Sequence, residues 1–276
     1  MNLKYLLNKP RILSKLILNL KNWYLFIANY LGLVKSKTLI YETRNGIKIK
    51  VRTNSYDSRV VSEIICYRIY QKDGFEIKDN YVIVDIGANI GCYALFAAFS
   101  ADNVKVFCFE PNEENYNLLM ENIAMNGLKG KIIPYKYAVA GQNKKVELLV
   151  SKSQFNTKHY ESISMYEGII KNIPDTHEIL KEEVDAISLE KVFKLCQIDK
   201  IDLLKLDCEG AEYEIILSSS SDTLRKISKI VLEYHRFDNK DENVLKDFLI
   251  SHGFSVQVIN DPNNRIGMIF AKSDKY

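Results

Sequence analysis

The stretch that most constrains the fold is a short apolar run that ends in an acid and is followed by two glycines. It reads Tyr81-Val-Ile-Val-Asp-Ile-Gly-Ala-Asn-Ile-Gly91. The run up to Val84 is typical of a strand buried on both faces, and residues 92–100 have the pattern of a helix. A strand, a glycine turn and a helix start in this order present backbone N–H groups to a ligand. We therefore expect an α/β, Rossmann-like, doubly wound sheet with a ligand site at this turn.

The spacing of the two glycines and the acid before them indicate which ligand the turn accepts. Dinucleotide sites usually read G-x-G-x-x-G, whereas this turn has only Gly87 and Gly91, with Asp85 before them. Gly87 can take a positive φ and has no Cβ, so a ligand can approach its backbone. Gly91 lets the helix start pack close to the strand. Asp85 can accept hydrogen bonds from a cationic or hydroxyl-bearing ligand, which it suits better than a pyrophosphate.

A second apolar run, residues 104–109, ends in Glu110, one helix and one strand beyond the glycines. In doubly wound folds an acid at this point accepts hydrogen bonds from both ribose hydroxyls. Pro111 ends the strand, and Asn112 is a good N-cap for a helix over residues 113–125. An NAD site would use the same acid, so Glu110 supports the fold without separating the two kinds of cofactor.

Residues 132–135 are predicted to form a third strand, and Ala138 after it is a candidate for apolar contact with an adenine ring. Residues 151–183 are polar, mixed in charge and without clean periodicity. We expect an irregular segment there that forms part of the acceptor wall, with Ser164 among its candidate contacts. Residues 254–259 and 265–271 are predicted to close the sheet as a hairpin.

The other informative stretch is Asp202-Leu-Leu-Lys-Leu-Asp-Cys-Glu-Gly-Ala-Glu212. Asp207 and Glu209 fall at the end of a predicted buried strand, and Glu212 begins the next helix. Three carboxylates at one junction are unfavourable unless a cation, a metal or a proton relieves them. A fifth strand ends in His235 and opens onto the same crevice.

Three motifs, V-D-I-G-A-N-I-G, F-E-P and K-L-D-C-E-G-A-E, resemble in order and spacing the FkbM family of S-adenosylmethionine-dependent methyltransferases. The resemblance covers about residues 53–270. It implies a seven-stranded class I fold, S-adenosyl-L-methionine as cofactor, and O-methylation, often of sugar or polyketide hydroxyls. By position it implies that Asp207 faces the methyl sulfonium and that these residues bind the cofactor: Asp85, Gly87, Asn89, Gly91 and Glu110. We add to the predicted cofactor contacts their neighbours Ala88, Pro111 and Asn112, together with Ala138.

A hydroxyl acceptor must lose its proton during methyl transfer, and three residues are candidates to take it. We favour Asp207, then His235, with Glu209 as the third. No metal site is predicted, because the four histidines and five cysteines show no metal-ligand spacing. A divalent ion between Asp207 and Glu233 is left open.

The segment ahead of the core divides into a basic extension, residues 1–37, and a hairpin-and-helix lead-in, residues 38–80, before the cofactor-binding domain at 81–276. The extension carries seven Lys or Arg and no Asp or Glu, with apolar residues at helical spacing. Its longest uncharged stretch, 22–34, is too short to span a bilayer. It is either a pair of helices packed on the catalytic domain or a site for peripheral membrane or protein docking. In the lead-in, Glu63 and Tyr67 are candidates to touch the ligand.

Composition bounds the setting and the partners. The net charge is only +3, so we expect no nucleic-acid partner, and the scattered cysteines fit a cytoplasmic protein. The expected acceptor is a small molecule or glycan hydroxyl. Two alternatives stay open from sequence: an NAD(P)-dependent oxidoreductase, disfavoured by Asp85 and the missing third glycine, and a non-catalytic binding protein on the same fold.

Overall fold

The computed structural model describes residues 10–153, 160–165, 177–238, 240–260 and 265–275. Its strands, in chain order, are β1 (Thr38–Glu42), β2 (Lys48–Arg52), β3 (Val82–Ile86), β4 (Lys105–Phe109), β5 (Ile132–Tyr135), β6 (Ala138–Val139), β7 (Lys144–Ser153), β8 (Tyr160–Ser164), β9 (His177–Ile187), β10 (Leu203–Leu206), β11 (Lys229–His235), β12 (Phe254–Asn260) and β13 (Ile266–Ser273). Its α-helices are α1 (Pro10–Asn19), α2 (Trp23–Tyr30), α3 (Asp57–Val61), α4 (Cys92–Ser100), α5 (Glu113–Met125), α6 (Leu189–Cys196), α7 (Ala211–Leu217), α8 (Ser221–Leu224) and α9 (Glu242–Ser251). Helix α3 continues directly into a π-helix, Ser62–Tyr67.

The central sheet has seven strands in the order β12-β13-β11-β10-β3-β4-β5. All neighbours pair in parallel except β13, which is antiparallel to both β11 and β12. The predicted seven-stranded doubly wound sheet is therefore confirmed, and so is its closing hairpin. The chain runs outward from β3 through β4 to β5 and then returns to place β10 on the other side of β3. The crevice at the carboxyl ends of β3 and β10 is the switch point at which such sheets bind ligands.

The core consists of two main hydrophobic clusters, one on each face of the sheet. Ile83 belongs to the cluster under the N-terminal helices, the hairpin and α4, whereas its neighbour Val84 belongs to the cluster under α6, α7 and α9. Successive side chains of a strand point to opposite faces, so both faces of β3 must be apolar to be covered. This explains why the strand reads as a continuous apolar run, and it leaves the polar chemistry to the strand ends.

A second sheet, with four strands in the order β6-β9-β7-β8, corrects the expectation of an irregular segment. Within the described part of residues 151–183, β8 and β9 both pair antiparallel with β7. Lys181 and Glu183, from the part that looked aperiodic, form cross-strand ion pairs with β7 on the exposed face, Lys145–Glu183 and Lys181–Glu147. Leu148 and Val150, in β7, are buried in a small cluster of their own.

The N-terminal helices pack on the catalytic domain, as one of the two readings of the extension predicted. Leu16 and Leu20, at and just after the end of α1, are buried in the main core cluster together with Phe26 of α2. None of the described helices is long and apolar enough to cross a membrane. Leu18 and Tyr24 stay exposed on this surface, and its docking to a membrane or a protein stays a prediction.

Candidate active site

A cavity of about 340 Å³ lies at the carboxyl ends of the central strands. It collects most of the residues predicted from sequence: Gly87, Ala88, Asn89, Glu110, Pro111, Ala138, Asp207, Glu209 and His235. The other three predicted residues, Asp85, Gly91 and Asn112, are not part of its lining. The lead-in contributes Tyr56, Arg59, Glu63 and Tyr70 to the wall. The cavity is of the size that protein sites use for small ligands.

Glu110 presents a carboxylate whose orientation is fixed by two backbone N–H groups. The N–H of Asn89 donates to Oε2 at 2.8 Å, and the N–H of Asn112 donates to Oε1 at 3.0 Å. Asn112 therefore acts through its backbone, while its side chain caps α5 by accepting from the N–H of Asn115. Burial raises the pKa of Glu110 to about 7 against the effect of these donors. Each oxygen keeps a second lone pair, so the carboxylate could still accept from two neighbouring hydroxyls.

The two glycines both have positive φ, 74° at Gly87 and 87° at Gly91, which is the conformation that glycine tolerates best. A Cβ on Gly87 would overlap the backbone carbonyl oxygen of Asp207, so the group that approaches this glycine is the end of β10. A Cβ on Gly91 would lie 2.5 Å from Leu119 Cδ1, on α5. The expectation that Gly91 serves packing against the strand is corrected: it serves packing between α4 and α5.

Asp85 faces a lysine rather than the cavity, which corrects the expectation of direct ligand contact. The side chain is fully buried, and its Oδ1 lies 3.0 Å from Lys205 Nζ. The same Nζ donates to the carbonyl of Gly87 at 2.8 Å. Burial lowers the pKa of Lys205, but Asp85 and Asp207 together outweigh burial and raise it, so this lysine stays charged. The sequence suggested that Asp85 would meet a cationic ligand, but its charge is instead neutralised by Lys205.

Asp207 lines the cavity and is held from behind by a tyrosine that the sequence did not identify. Tyr70 Oη donates to Asp207 Oδ2 at 2.6 Å, and Lys205 Nζ lies 3.8 Å from the same oxygen. The candidate Tyr67 is 43% exposed and is not part of the lining, whereas Glu63 lines the cavity and pairs with Arg59. Helical spacing predicted that Tyr67 would face the ligand. The chain turns after the π-helix, and Tyr70 rather than Tyr67 reaches the cavity.

A histidine surrounded by carboxylates occupies the same end of the cavity. His235 is buried, with Nδ1 3.0 Å from Glu212 Oε1 and Nε2 3.3 Å from Glu209 Oε2. Glu233 Oε1 is 3.7 Å from Nε2. Burial lowers the pKa of His235, but Glu212 and Glu209 outweigh it and raise the pKa to about 10. The imidazole is therefore a cation at neutral pH.

The two acids that face His235 Nε2 titrate close to neutrality. Burial, reinforced by the charge of Asp207, raises the pKa of Glu209 to about 7 although His235 lowers it. The same two causes raise the pKa of Glu233 to about 8. These groups interact, so their protons belong to the cluster as well as to single residues. A carboxylate with a pKa near the working pH is suited to accept a proton.

The backbone of Glu209 is held in an uncommon conformation. Its φ is +52°, in the left-handed region that few residues other than glycine adopt. Ser164, on β8 of the small sheet, donates from Oγ to the carbonyl of Glu209 at 2.6 Å. Such conformations persist when the surroundings fix them, and they concentrate at functional sites. Ser164, a candidate for substrate contact, lines the cavity and also supports the turn that carries Glu209.

Three side chains at this place could also hold a metal ion. The ligand atoms of Asp207, Glu233 and His235 all lie within 4.8 Å of one another. Glu233 and His235 are two apart on β11 and so share a face, which no ligand spacing in the sequence suggested. A metal would have to displace the proton of His235. The prediction of a metal-independent site is not tested by this geometry.

Residues 85–256 match the model of the methyltransferase FkbM domain, over well more than half of the chain. The chain belongs to the FkbM family of methyltransferases. Membership makes it an enzyme with S-adenosylmethionine as the methyl donor. Membership in a methyltransferase family argues against the NAD(P)-dependent oxidoreductase that the sequence left open.

Three curated proteins are similar to this chain and differ widely in length and in the activity that their names give. The AMB antimetabolite synthetase AmbE of Pseudomonas aeruginosa is 26% identical over 230 residues, 73% of this chain but only 11% of that protein. The 31-O-demethyl-FK506 methyltransferase FkbM of Streptomyces tacrolimicus is 25% identical, over 72% of this chain and 82% of its own length. The hexuronic acid methyltransferase AglP of Haloferax volcanii is 26% identical, over 60% of this chain and 61% of its own length. The chain thus spans from about a tenth to four fifths of these relatives.

Proposed function

We propose that this enzyme methylates a hydroxyl group of a sugar, a glycan or another small metabolite. Two of the relatives carry names that fit such an acceptor, 31-O-demethyl-FK506 in one and a hexuronic acid in the other. The observation that carries the proposal is Glu209, a carboxylate with a pKa of about 7 at the cavity that also contains Glu110. A hydroxyl acceptor needs a proton acceptor of this kind during transfer.

At the donor end, Glu110 would accept hydrogen bonds from the ribose hydroxyls, because two backbone N–H groups aim its carboxylate into the cavity. Gly87, Ala88 and Asn89 would face the donor along the turn. Pro111 and Ala138 would offer apolar contact to the adenine ring. Asp207 would place its negative charge opposite the sulfonium. When bound, the donor supplies an electrophilic methyl group, so the protein mainly has to position the acceptor. Positioning of this kind can lower the activation free energy by up to roughly 7–11 kcal/mol.

At the acceptor end, Glu209 is the base that the geometry favours over Asp207 and His235. Asp207 has one oxygen engaged by Tyr70, with Lys205 close to the same atom. His235 has a pKa raised to about 10 and is already protonated at neutral pH. Glu209 pairs with His235 through Oε2, but its side chain is 38% exposed and its pKa is raised to about 7, so it can meet a hydroxyl and accept its proton near neutrality. The proton that Glu209 takes from the hydroxyl would then be shared with the His235 cluster. The proposal thus places Glu209 first as the base, whereas the sequence favoured Asp207 and then His235.

Calorimetry and product analysis test this function together. We expect purified protein to bind S-adenosylmethionine and to transfer a labelled methyl group to a hydroxyl in a panel of uronic acids, neutral sugars and polyketide alcohols. NMR of the product should show a new methoxy group. Glu110→Ala should weaken donor binding, while Glu113→Ala, exposed on α5, should not. No donor binding at millimolar concentration, or a methyl group on nitrogen or carbon only, would contradict the proposal.

A further inference from the structure

Tyr70 comes from outside the segment that matches the family, yet it bonds an acid of the K-L-D-C-E-G-A-E motif. It precedes residues 85–256, and its side chain is buried at 4% exposure. Burial and the charges of Asp207 and Glu233 raise its pKa well above the usual range. The phenol therefore keeps its proton and donates to Asp207 Oδ2 at 2.6 Å.

The position of Tyr70 is fixed by its surroundings on two sides. Its ring packs edge-to-face on Tyr93, with centroids 5.4 Å apart, and Lys205 Nζ lies 5.3 Å from the ring centroid. The π-helix ends at Tyr67, and the φ of +53° at Arg68 then turns the chain. The N–H of Gln71 donates back to the Arg68 carbonyl at 2.8 Å. This turn delivers Tyr70 to the cavity in a single orientation.

The carboxylate of Asp207 has two competing partners behind it. Oδ2 accepts from Tyr70, while Lys205 Nζ stands 3.8 Å away, too far for a hydrogen bond. No described residue donates to Oδ1, and the side chain is 29% exposed at the cavity. Without the phenol, attraction to the ammonium would draw the carboxylate into a tight pair with Lys205. The charge facing the cavity would then be neutralised.

We propose that Tyr70 is a positioning residue that holds Asp207 away from Lys205 and directs its negative charge toward the sulfonium of the methyl donor. The inference rests on the proposed placement of the donor beside Asp207. It predicts an effect that depends on the charge of the ligand. S-adenosylmethionine carries a sulfonium, whereas S-adenosylhomocysteine has a neutral sulfur at the same place.

The test is calorimetry with both ligands on Tyr70→Phe, which keeps the ring and removes only the hydroxyl. We expect the affinity for S-adenosylmethionine to fall by about tenfold and that for S-adenosylhomocysteine by less than about twofold, since a tenfold change corresponds to one lost interaction of moderate strength. Tyr213→Phe is the matched control: its buried hydroxyl has no hydrogen-bond partner among the described residues, and Tyr213 is not part of the cavity lining, so both affinities should stay unchanged.

A second variant keeps the proposal open to refutation if Tyr70→Phe folds poorly. Asp207→Asn retains the bond from Tyr70 and removes the charge, so it should lose the same preference for the charged ligand. Adding Tyr70→Phe to it should then change the ratio of the two affinities no further. Equal weakening of both ligands by Tyr70→Phe, or no weakening at all, would overturn the role of Tyr70. Wild-type protein that binds neither ligand would instead refute the proposed function.

Discussion

Two clusters of charged side chains lie at the same edge of the central sheet, and they differ in their ratio of acids to bases. The lysine pair consists of Asp85 and Lys205, both buried, with one acid for one base at 3.0 Å. The histidine cluster sets one imidazole, His235, among three glutamates. Burial lowers the pKa of Lys205, but Asp85 and Asp207 together raise it, so the lysine keeps its charge near neutrality. In the cluster three acids surround one base, and burial with the charge of Asp207 raises the pKa of Glu209 and of Glu233.

The two groups differ in what they do for the site. The ion pair of Asp85 and Lys205 fixes the ends of β3 and β10 relative to each other, and the ammonium of Lys205 also donates to the Gly87 carbonyl. An unmatched cluster shifts the pKa of its acids toward neutrality, to about 7 for Glu209 and about 8 for Glu233. Groups in such a state are characteristic of sites where protons move.

Glu209→Gln should have the largest effect, because it removes the proposed base and keeps the size of the side chain. We expect kcat to fall by about 10²- to 10⁴-fold, with donor affinity close to that of the wild type. Steady-state kinetics with calorimetry on the same preparation measures both. Glu183→Gln, on an exposed pair of the small sheet, serves as the control. Turnover within threefold of wild type, on the order of 0.7 kcal/mol, would remove Glu209 from the chemistry.

Lys205→Met should act on stability instead. It leaves the buried carboxylate of Asp85 without its partner, which typically costs about 3–5 kcal/mol. Urea unfolding followed by circular dichroism reports the free energy of unfolding. Asp85→Asn in the same chain removes the stranded charge and should restore part of the loss. If the single and double variants are equally stable, the two residues do not act as a pair.

Titration separates the two groups further. For wild type, kcat should rise as pH increases through about 7, because only the ionised form of Glu209 accepts a proton. Stability should change in the opposite direction. The pKa of Glu209 and of Glu233 is raised by folding, so their contribution is present below about pH 4.5 and is lost as pH rises through 7 to 8.

The imidazole adds to the same trend, since its pKa is raised to about 10. Its contribution is complete below about pH 6.5 and declines as pH rises toward 10. Glu212→Gln removes the charge that raises this pKa most, so the pKa of His235 should fall, as NMR of the ring protons would report. An unchanged pKa would show that Glu212 has no electrostatic effect on the ring.

Ser164→Ala should have the smallest effect. It removes the hydroxyl that bonds the carbonyl of Glu209 at 2.6 Å, a loss of about 0.5–1.5 kcal/mol. We expect kcat to decrease several-fold, with unchanged donor affinity. A larger loss of donor affinity than of kcat would mean that Ser164 supports the donor end of the cavity instead.

The sequence predicted the acids of both groups but only part of their partners. Strand ends are visible because apolar runs stop at Asp85, Glu110, Asp207 and His235. Lys205 was passed over because its neighbours Leu204 and Leu206 set the pattern of a buried strand, and a lysine inside such a run is expected only when an acid lies across from it. That acid, Asp85, is in register with Lys205 on β3, a pairing that the sequence alone does not give.

Tyr70 escaped prediction for a different reason. Helical spacing from Asp57 onward placed Tyr67 on the buried face, whereas the chain takes a π-helix and then a left-handed residue at Arg68. The π-helix packs against α1 and α4, and a π-helix of this kind reflects such packing rather than local propensity. The small sheet was missed for a related reason. Charged residues on its exposed face obscure the alternation of polar and apolar residues, and the pattern becomes clear only when the partner strand is known.

The contact between Gly87 and the carbonyl of Asp207 has a consequence for how this enzyme can vary. The two recognisable motifs lie far apart in the chain, but there is no side chain between their backbones at this point. Because the two backbones are in direct contact here, a shift of the glycine turn would displace the turn that carries Asp207, and the reverse also holds. Changes of acceptor preference are then easiest in the walls around these two turns, in the lead-in and the small sheet.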